Sequence, residues 1–251
     1  MTAASILITG ASSGLGAALA CAYARPGATL FLSGRHAGRL EAVAELCRGQ
    51  GAEAIATPLD ITHGPALAAW IARSEAHRPL DLVIANAGIS GGTHGGDESA
   101  EQTRAIFAVN VTAVFDTVLA ALPAMAARRR GQIAIMSSLA GFRGFPGAPA
   151  YCASKAAVRV WGEALRGEMA PAGIGVSVIC PGFIATPMTA VNPFPMPLLM
   201  TPDRAAGIIR HGLERDRGRI AFPWPMHLAA RIAGCLPSGL MDAIARRMPK
   251  K

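Results

Sequence analysis

Tyr151 and Lys155 stand four residues apart in a chain that is sparing with both types. Of the 251 residues, 24 are Lys or Arg, yet only Lys155, Lys250 and Lys251 are Lys. There are two Tyr, Tyr23 and Tyr151, and three Asn, Asn86, Asn110 and Asn192. Arg carries the positive charge elsewhere, and it does not match Lys in shape or titration. A phenol can give or take a proton, but its ordinary pKa of about 10 makes it a poor base near neutrality. A neighbouring ammonium favours the phenolate and lowers that value. Residues four apart on a helix share a face. The pair therefore suits acid–base chemistry; an ordinary exposed helix pair is the bland alternative.

Two further groups could do chemistry. The run TGASSGLG carries Gly10, Gly14 and Gly16 around Ser12, Ser13 and Leu15. Glycines permit a tight turn and a close backbone approach to a pyrophosphate, which a following helix N-terminus favours. Ser137 and Ser138 close a β-rich run, and either hydroxyl could hold a substrate oxygen. The stretch Ser33-Gly34-Arg35-His36 has no carboxylate before Glu41. A carboxylate there would hold a ribose hydroxyl, whereas Arg35 suits a 2′-phosphate. That favours NADP(H) over NAD(H), against the alternative of a solvated Arg at a strand end.

These residues need a scaffold, and the hydrophobic pattern supplies one. Short apolar, β-branched runs fall at 5–9, 28–33, 53–57, 81–86, 132–137, 175–180 and 219–222. Helical patterns separate them at 15–25, 38–49, 62–77, 99–129, 150–170 and 201–214. The long 99–129 pattern is expected to jog near Pro123. Strands apolar on both faces and alternating with helices predict a buried parallel sheet. The expected fold is a doubly wound Rossmann fold, α/β, with about seven parallel strands and a C-terminal helical tail. The glycine loop follows the first strand and opens a helix, as phosphate binding requires.

TGxxxGxG after the first strand, ANAG at 85–88, Ser138 and Tyr151-xxx-Lys155 occur together and in this order. In this the chain resembles the short-chain dehydrogenase/reductase family over residues 5 to 222. The resemblance implies that Tyr151 is the general acid/base and that Ser138, rather than Ser137, orients the substrate oxygen. It implies that Lys155 tunes Tyr151 and holds the nicotinamide ribose. Asn110 matches a fourth catalytic position supporting a water relay. Asp60 with Ile61 would meet the adenine, and Asn86, Ala87 and Gly88 would shape the cofactor pocket. Pro181, Gly182, Ile184 and Thr186 would clamp the carboxamide. The activity implied is an NADP(H)-dependent oxidoreductase acting on a carbonyl or secondary alcohol, as a homo-oligomer, dimer or tetramer. A nucleotide-sensing protein without turnover is the alternative from another class, and a membrane-surface member acting through its tail is a third.

Composition trims the other classes. Net charge is +8, but aromatics are 5% and no aromatic-studded basic stretch exists, which argues against nucleic acid. Six His lack an HExxH or His/Cys cluster, so no metal site is expected. Five Cys without a CxxC pair and no leader read as reduced cytoplasmic thiols. No uninterrupted apolar run reaches membrane-span length. Two segments depart from the alternation. Residues 187–202 are Pro-rich and apolar and lie where the family carries a substrate lid, which points to an apolar or lipid-like substrate. Residues 1–223 form the catalytic domain, and 224–251 form an amphipathic basic tail divided at Pro237. Leu240, Met241, Ile244, Ala245 and Met248 share one helical face of that tail. It would pack on its own domain or a partner subunit, or lie on the inner face of a membrane.

Overall fold

The computed structural model describes residues 3–91, 98–192, 194–237 and 239. Strands β1 (Ser5–Ile8), β2 (Thr29–Gly34), β3 (Glu53–Pro58), β4 (Leu82–Ala85), β5 (Gly131–Met136), β6 (Ile174–Pro181) and β7 (Arg219–Phe222) form one sheet. Its order is β3-β2-β1-β4-β5-β6-β7, and every pairing is parallel. Helices α1 (Gly14–Tyr23), α2 (Ala37–Gly49) and α8 (Pro202–Glu214) cover one face. Helices α3 (Gly64–His77), α5 (Ala113–Ala127) and α6 (Pro149–Met169) cover the other.

The alternation of side chains along each strand builds both layers. Ile6, Ile8, Leu30 and Leu32 enter one core, while Leu7, Phe31, Val83 and Ile133 enter the other. This is the doubly wound Rossmann sheet expected from the sequence. From β1 the chain winds outward through β2 and β3, then returns to place β4 on the other side of β1. The carboxyl ends of β1 and β4 therefore border the crevice where such sheets bind ligands.

Three local features refine the sequence reading. The jog in the long helix is not at Pro123. The helix runs as α4 (Ala100–Phe107), a π-helical turn (Ala108–Thr112) and α5, with Pro123 inside α5. Pro123 is exposed, so the helix tolerates the lost backbone bond on its solvent side. In the π turn the Ala113 amide reaches back to the Ala108 carbonyl, and the extra residue turns Asn110 inward. Second, the helical stretch Ala100–Ala127 is long and apolar enough by composition to cross a membrane. Here Val114, Val118, Ala121 and Met125 pack it onto the sheet. Third, only the first part of the tail is described, as α9 (Trp224–Cys235), which ends before Pro237. Leu240, Met241, Ile244, Ala245 and Met248 lie outside the described residues, as does Pro193 in the 187–202 segment.

Candidate active site

The glycine loop is shaped by close approaches. Gly10 and Gly14 have φ of +69° and +54°, a region that disfavours a side chain. A Cβ on Gly16 would lie 2.2 Å from the Gly10 carbonyl oxygen and 2.6 Å from Asn86 Nδ2. Asn86 ties this loop to β4. Its Nδ2 donates to the Thr9 and Gly10 carbonyls at 2.9 and 3.3 Å. The amides of Asn86 and Ala87 both donate to Thr9 Oγ1 at 3.1 Å. Ser13, the N-cap of α1, makes no side-chain bond to the helix. The first-turn amides of Gly14, Leu15 and Gly16 thus remain for a ligand at the positive helix end.

This loop floors a cleft of about 580 Å³. Gly10, Ser12, Ser13, Gly14, Leu15, Gly16, Arg35, Asp60, Ile61, Asn86, Ala87, Gly88, Pro181, Gly182, Ile184 and Thr186 line it, with Ser138, Tyr151 and Lys155. Asn110 does not line it and is fully buried behind. The residues fit a dinucleotide. A Cβ on Gly10 or Gly16 would collide with Ala87 or with the Gly10 carbonyl, so glycine alone lets the loop fold this closely, and the uncapped helix end suits a pyrophosphate.

At one end, Arg35 follows β2 and is exposed. Asp60 Oδ1 accepts from the Thr62 amide at 3.0 Å and the Thr62 hydroxyl at 2.8 Å. These bonds, with the nearby Arg35 and His63, hold its carboxyl below the ordinary range. His36 and Arg39 also line this end. The sequence reading gave Arg39 no role; its place four residues after Arg35, on the first turn of α2, was the available signal.

At the other end, β5 and α6 present Ser138, Tyr151 and Lys155. Ser138 follows β5, and its hydroxyl accepts from the Ala140 amide at 3.1 Å and donates to the Pro181 carbonyl at 3.4 Å. Ser137 points away: its hydroxyl donates to the Lys155 carbonyl at 2.7 Å within the protein. Burial pushes the Tyr151 phenol up, and its side-chain hydrogen bond with Ser138 opposes this. The sequence argument had Lys155 lower that phenol. In the structure Lys155 Nζ lies 5.8 Å from the ring centroid and donates to the Met136 carbonyl at 3.0 Å. Desolvation dominates at the phenol, and burial likewise pulls Lys155 down to about 8.

Asn110 braces this end from behind. Its Oδ1 accepts from the Ile89 amide at 2.8 Å, and its Nδ2 donates to the Ile89 carbonyl and Ser154 Oγ at 2.9 and 3.1 Å. A Cβ on Gly88 would stand 3.3 Å from both Asn110 Oδ1 and Lys155 Nζ, so glycine lets these two approach. The 187–202 segment begins with α7 (Pro187–Ala190) and closes back on the stretch after β6 through an isolated bridge of Ile184 with Met200. Pro187, Met188 and Thr189 line the cleft, whereas Leu198 and Leu199 are exposed and do not.

The short chain dehydrogenase family model matches residues 4–193. An uncharacterized oxidoreductase of Myxococcus xanthus is 41% identical over 243 residues, 96% of each chain. A short-chain dehydrogenase of Sphingobium yanoikuyae, solved with NADPH, superposes with a TM-score of 0.79 at 29% identity, covering 98% of this chain and 96% of that one. A short-chain dehydrogenase of Mycobacterium paratuberculosis, solved bound to NAD, gives a TM-score of 0.75 at 25% identity, covering 86% and 94%. With a glycine loop flooring the cleft and Ser138, Tyr151 and Lys155 gathered at one end of it, the chain belongs to the short-chain dehydrogenase/reductase family and is an oxidoreductase of that type.

Proposed function

We propose that this oxidoreductase uses NADP(H) to interconvert an apolar ketone and its secondary alcohol. The observation that carries the reading is the Tyr151 hydroxyl bonded by Ser138 at one end of a cleft whose other end holds Arg35 and Arg39. The bound nicotinamide would supply or accept the hydride. Tyr151 would give its proton to the carbonyl oxygen on reduction and take it back on oxidation. The Ser138 hydroxyl would hold that oxygen while charge develops. Lys155 would hold the nicotinamide ribose and hand protons on, with Asn110 and Ser154 fixing its surroundings. Gly10, Ser12, Ser13, Gly14, Leu15 and Gly16 would cradle the phosphates, and Asp60 and Ile61 would meet the adenine. Asn86, Ala87 and Gly88 would shape the middle of the pocket, and Pro181, Gly182, Ile184 and Thr186 would clamp the carboxamide.

The preference for NADP(H) rests on two Arg and no free carboxylate at the end of β2, since the Asp60 carboxylate is engaged by Thr62. The apolar substrate rests on Ile89, Val109, Ile184 and Met188 in the lining. Residues 1–223 would be the catalytic domain, with 187–202 as lid and 224–251 as a separate tail. The outward face of α9, with Trp224, Leu228 and Ile232 exposed, would serve a partner subunit or an anionic membrane surface. Vesicle flotation with and without residues 226–251 separates the two.

The test of the activity is a panel of ketones and secondary alcohols with NADPH and NADH, followed by absorbance of the reduced nucleotide. Turnover of apolar ketones with NADPH is expected, with Tyr151→Phe inactive yet still binding nucleotide. Tight NADPH binding with no turnover of any carbonyl would replace the enzyme reading with a nucleotide sensor.

A further inference from the structure

The helix that carries Tyr151 and Lys155 does not cap itself. Pro149 opens α6 without an amide hydrogen, and its N-cap Ala148 has no side-chain acceptor. That leaves the next amides, Ala150 and Tyr151, without an intrahelical acceptor. Both donate to one carboxylate 52 residues earlier: Ala150 to Glu98 Oε2 at 2.5 Å and Tyr151 to Glu98 Oε1 at 3.2 Å. A carboxylate is well suited to this place, because it meets the positive end of the helix dipole with two acceptor oxygens.

Glu98 is itself anchored. It immediately precedes Ser99, the N-cap of α4, where Ser99 and Gln102 form a reciprocal capping box. Its Cγ also lies 3.3 Å from where a Cβ on Gly91 would stand. From this point α4 leads into the π turn, where Asn110 bonds Ser154 one turn further along α6. The first two turns of α6 are thus gripped at two levels by one continuous helix: at the amides of residues 150 and 151, and at Ser154.

We infer that Glu98 is a positioning residue for the reaction: it fixes the height and rotation of the α6 first turn so that the Tyr151 hydroxyl meets Ser138. Glu98 touches neither cofactor nor substrate in this role and acts through the Tyr151 backbone. The inference rests on the reading of Tyr151 as the proton donor. Its effect therefore falls on turnover. Gly10, Gly14 and Gly16 sit after β1 and at the start of α1, which Glu98 does not contact, so nucleotide affinity changes far less than turnover, any loss coming through Lys155 one turn further along α6.

The experiment compares wild type, Glu98→Ala, Glu98→Gln and Tyr151→Phe, measuring kcat, substrate KM, the NADPH dissociation constant and the thermal midpoint. Displacing a catalytic group by a fraction of an ångström to one ångström costs roughly ten- to a hundredfold in rate. Glu98→Ala is expected to lower kcat by about tenfold or more, with the NADPH dissociation constant changed less than about threefold. Glu98→Gln keeps one carboxamide oxygen for one of the two amides and is expected to recover part of the kcat. Glu98→Ala with wild-type kcat, or with kcat and NADPH affinity falling together, overturns the inference. Equal kcat losses in the Gln and Ala variants also overturn it. If Glu98→Ala does not fold, Glu98→Gln against wild type decides by the same split between kcat and affinity. An active Tyr151→Phe enzyme would instead sink the reading of the site, whatever Glu98 does.

Discussion

At the residue scale, the proposed acid–base group is built against the stability of its own surroundings. Lys155 is almost fully buried, bonds one carbonyl, and is pulled down to about 8 from 10.5. That depression penalises the charged form by on the order of 3 kcal/mol at neutral pH. The sign follows from proton counts. Between pH 8 and 10.5 the unfolded chain holds the proton and the folded chain does not, so this penalty is complete below pH 8 and relieved as pH rises through that window. Replacing Lys155 with Met removes the charge but leaves the Met136 carbonyl unpaired, at a cost of about 1 kcal/mol. Lys155→Met should therefore be inactive and about 1–2 kcal/mol more stable than wild type at pH 7 by urea unfolding, with the gap closing toward pH 10. A variant less stable than wild type at pH 7 refutes the account. At the far end of the cleft, Arg35→Ala should weaken NADPH by about tenfold or more, the worth of a charge-assisted bond or two, while NADH binding barely changes. Equal losses for both nucleotides would remove the 2′-phosphate reading. Scarcity made Lys155 and Tyr151 visible in the sequence. It could not disclose their desolvation, which depends on what the fold stacks around them.

The elements differ in how openly the sequence declares them, and the reason is the range of the interactions that define each. Strand runs such as SILI and TLFLSG declare themselves because a parallel strand is apolar on both faces. The Ser99 start of α4 is equally local, set by Ser99 and Gln102 three residues apart. The π turn is not. Proline draws the eye to residue 123, but the irregularity lies at 108–112, where the side chain of Asn110 substitutes for helix regularity by bonding Ile89 and Ser154. Glu98 is illegible for the same reason: its partners are amides of a helix more than fifty residues away. This makes a prediction at the scale of elements. Asn110→Leu fits the volume roughly but strands the Ile89 amide and carbonyl in a buried site, at about 1–3 kcal/mol for each unpaired group. The variant should lose about 2–4 kcal/mol in denaturant unfolding and lose turnover with it, because α4 and α6 part at Ser154. Wild-type stability would show that the π turn holds without its asparagine.

Across the whole molecule, α9 is only lightly committed to the Rossmann core. None of its residues is buried, and Trp224, Leu228 and Ile232 are 73%, 51% and 54% exposed along one side. Its inner side rests on the segment that follows Ser138. His227 meets the Phe142 ring edge-on with centroids 5.4 Å apart, and Met226 and Ala230 pack beside Leu139 and Ala221. Phe142 in turn lies under the guanidinium groups of Arg159 and Arg219, at 4.7 and 5.6 Å, which Glu163 pairs. The contact thus joins the tail to the segment after Ser138 through a cluster of Arg159, Arg219 and Glu163. Among the described residues, His227 Nε2 is buried without a hydrogen-bond partner. Burial, then Arg219 and Arg231, hold the imidazole below its ordinary value. Its protonation is therefore disfavoured while α9 is docked and easier once α9 lifts. As pH falls below about 6.5, the unfastened tail takes up the proton first, so docking weakens on acidification and strengthens on return to neutrality. Hydrogen exchange reads this directly. Between pH 7.5 and 5.5, after correction for intrinsic rates, the α9 amides should lose protection while those of α8 do not. His227→Phe, which keeps the ring contact and cannot titrate, should hold α9 protection constant across the range. If wild type and His227→Phe change alike, the histidine does not govern the tail, and the cationic cluster beneath Phe142 must hold it regardless of pH.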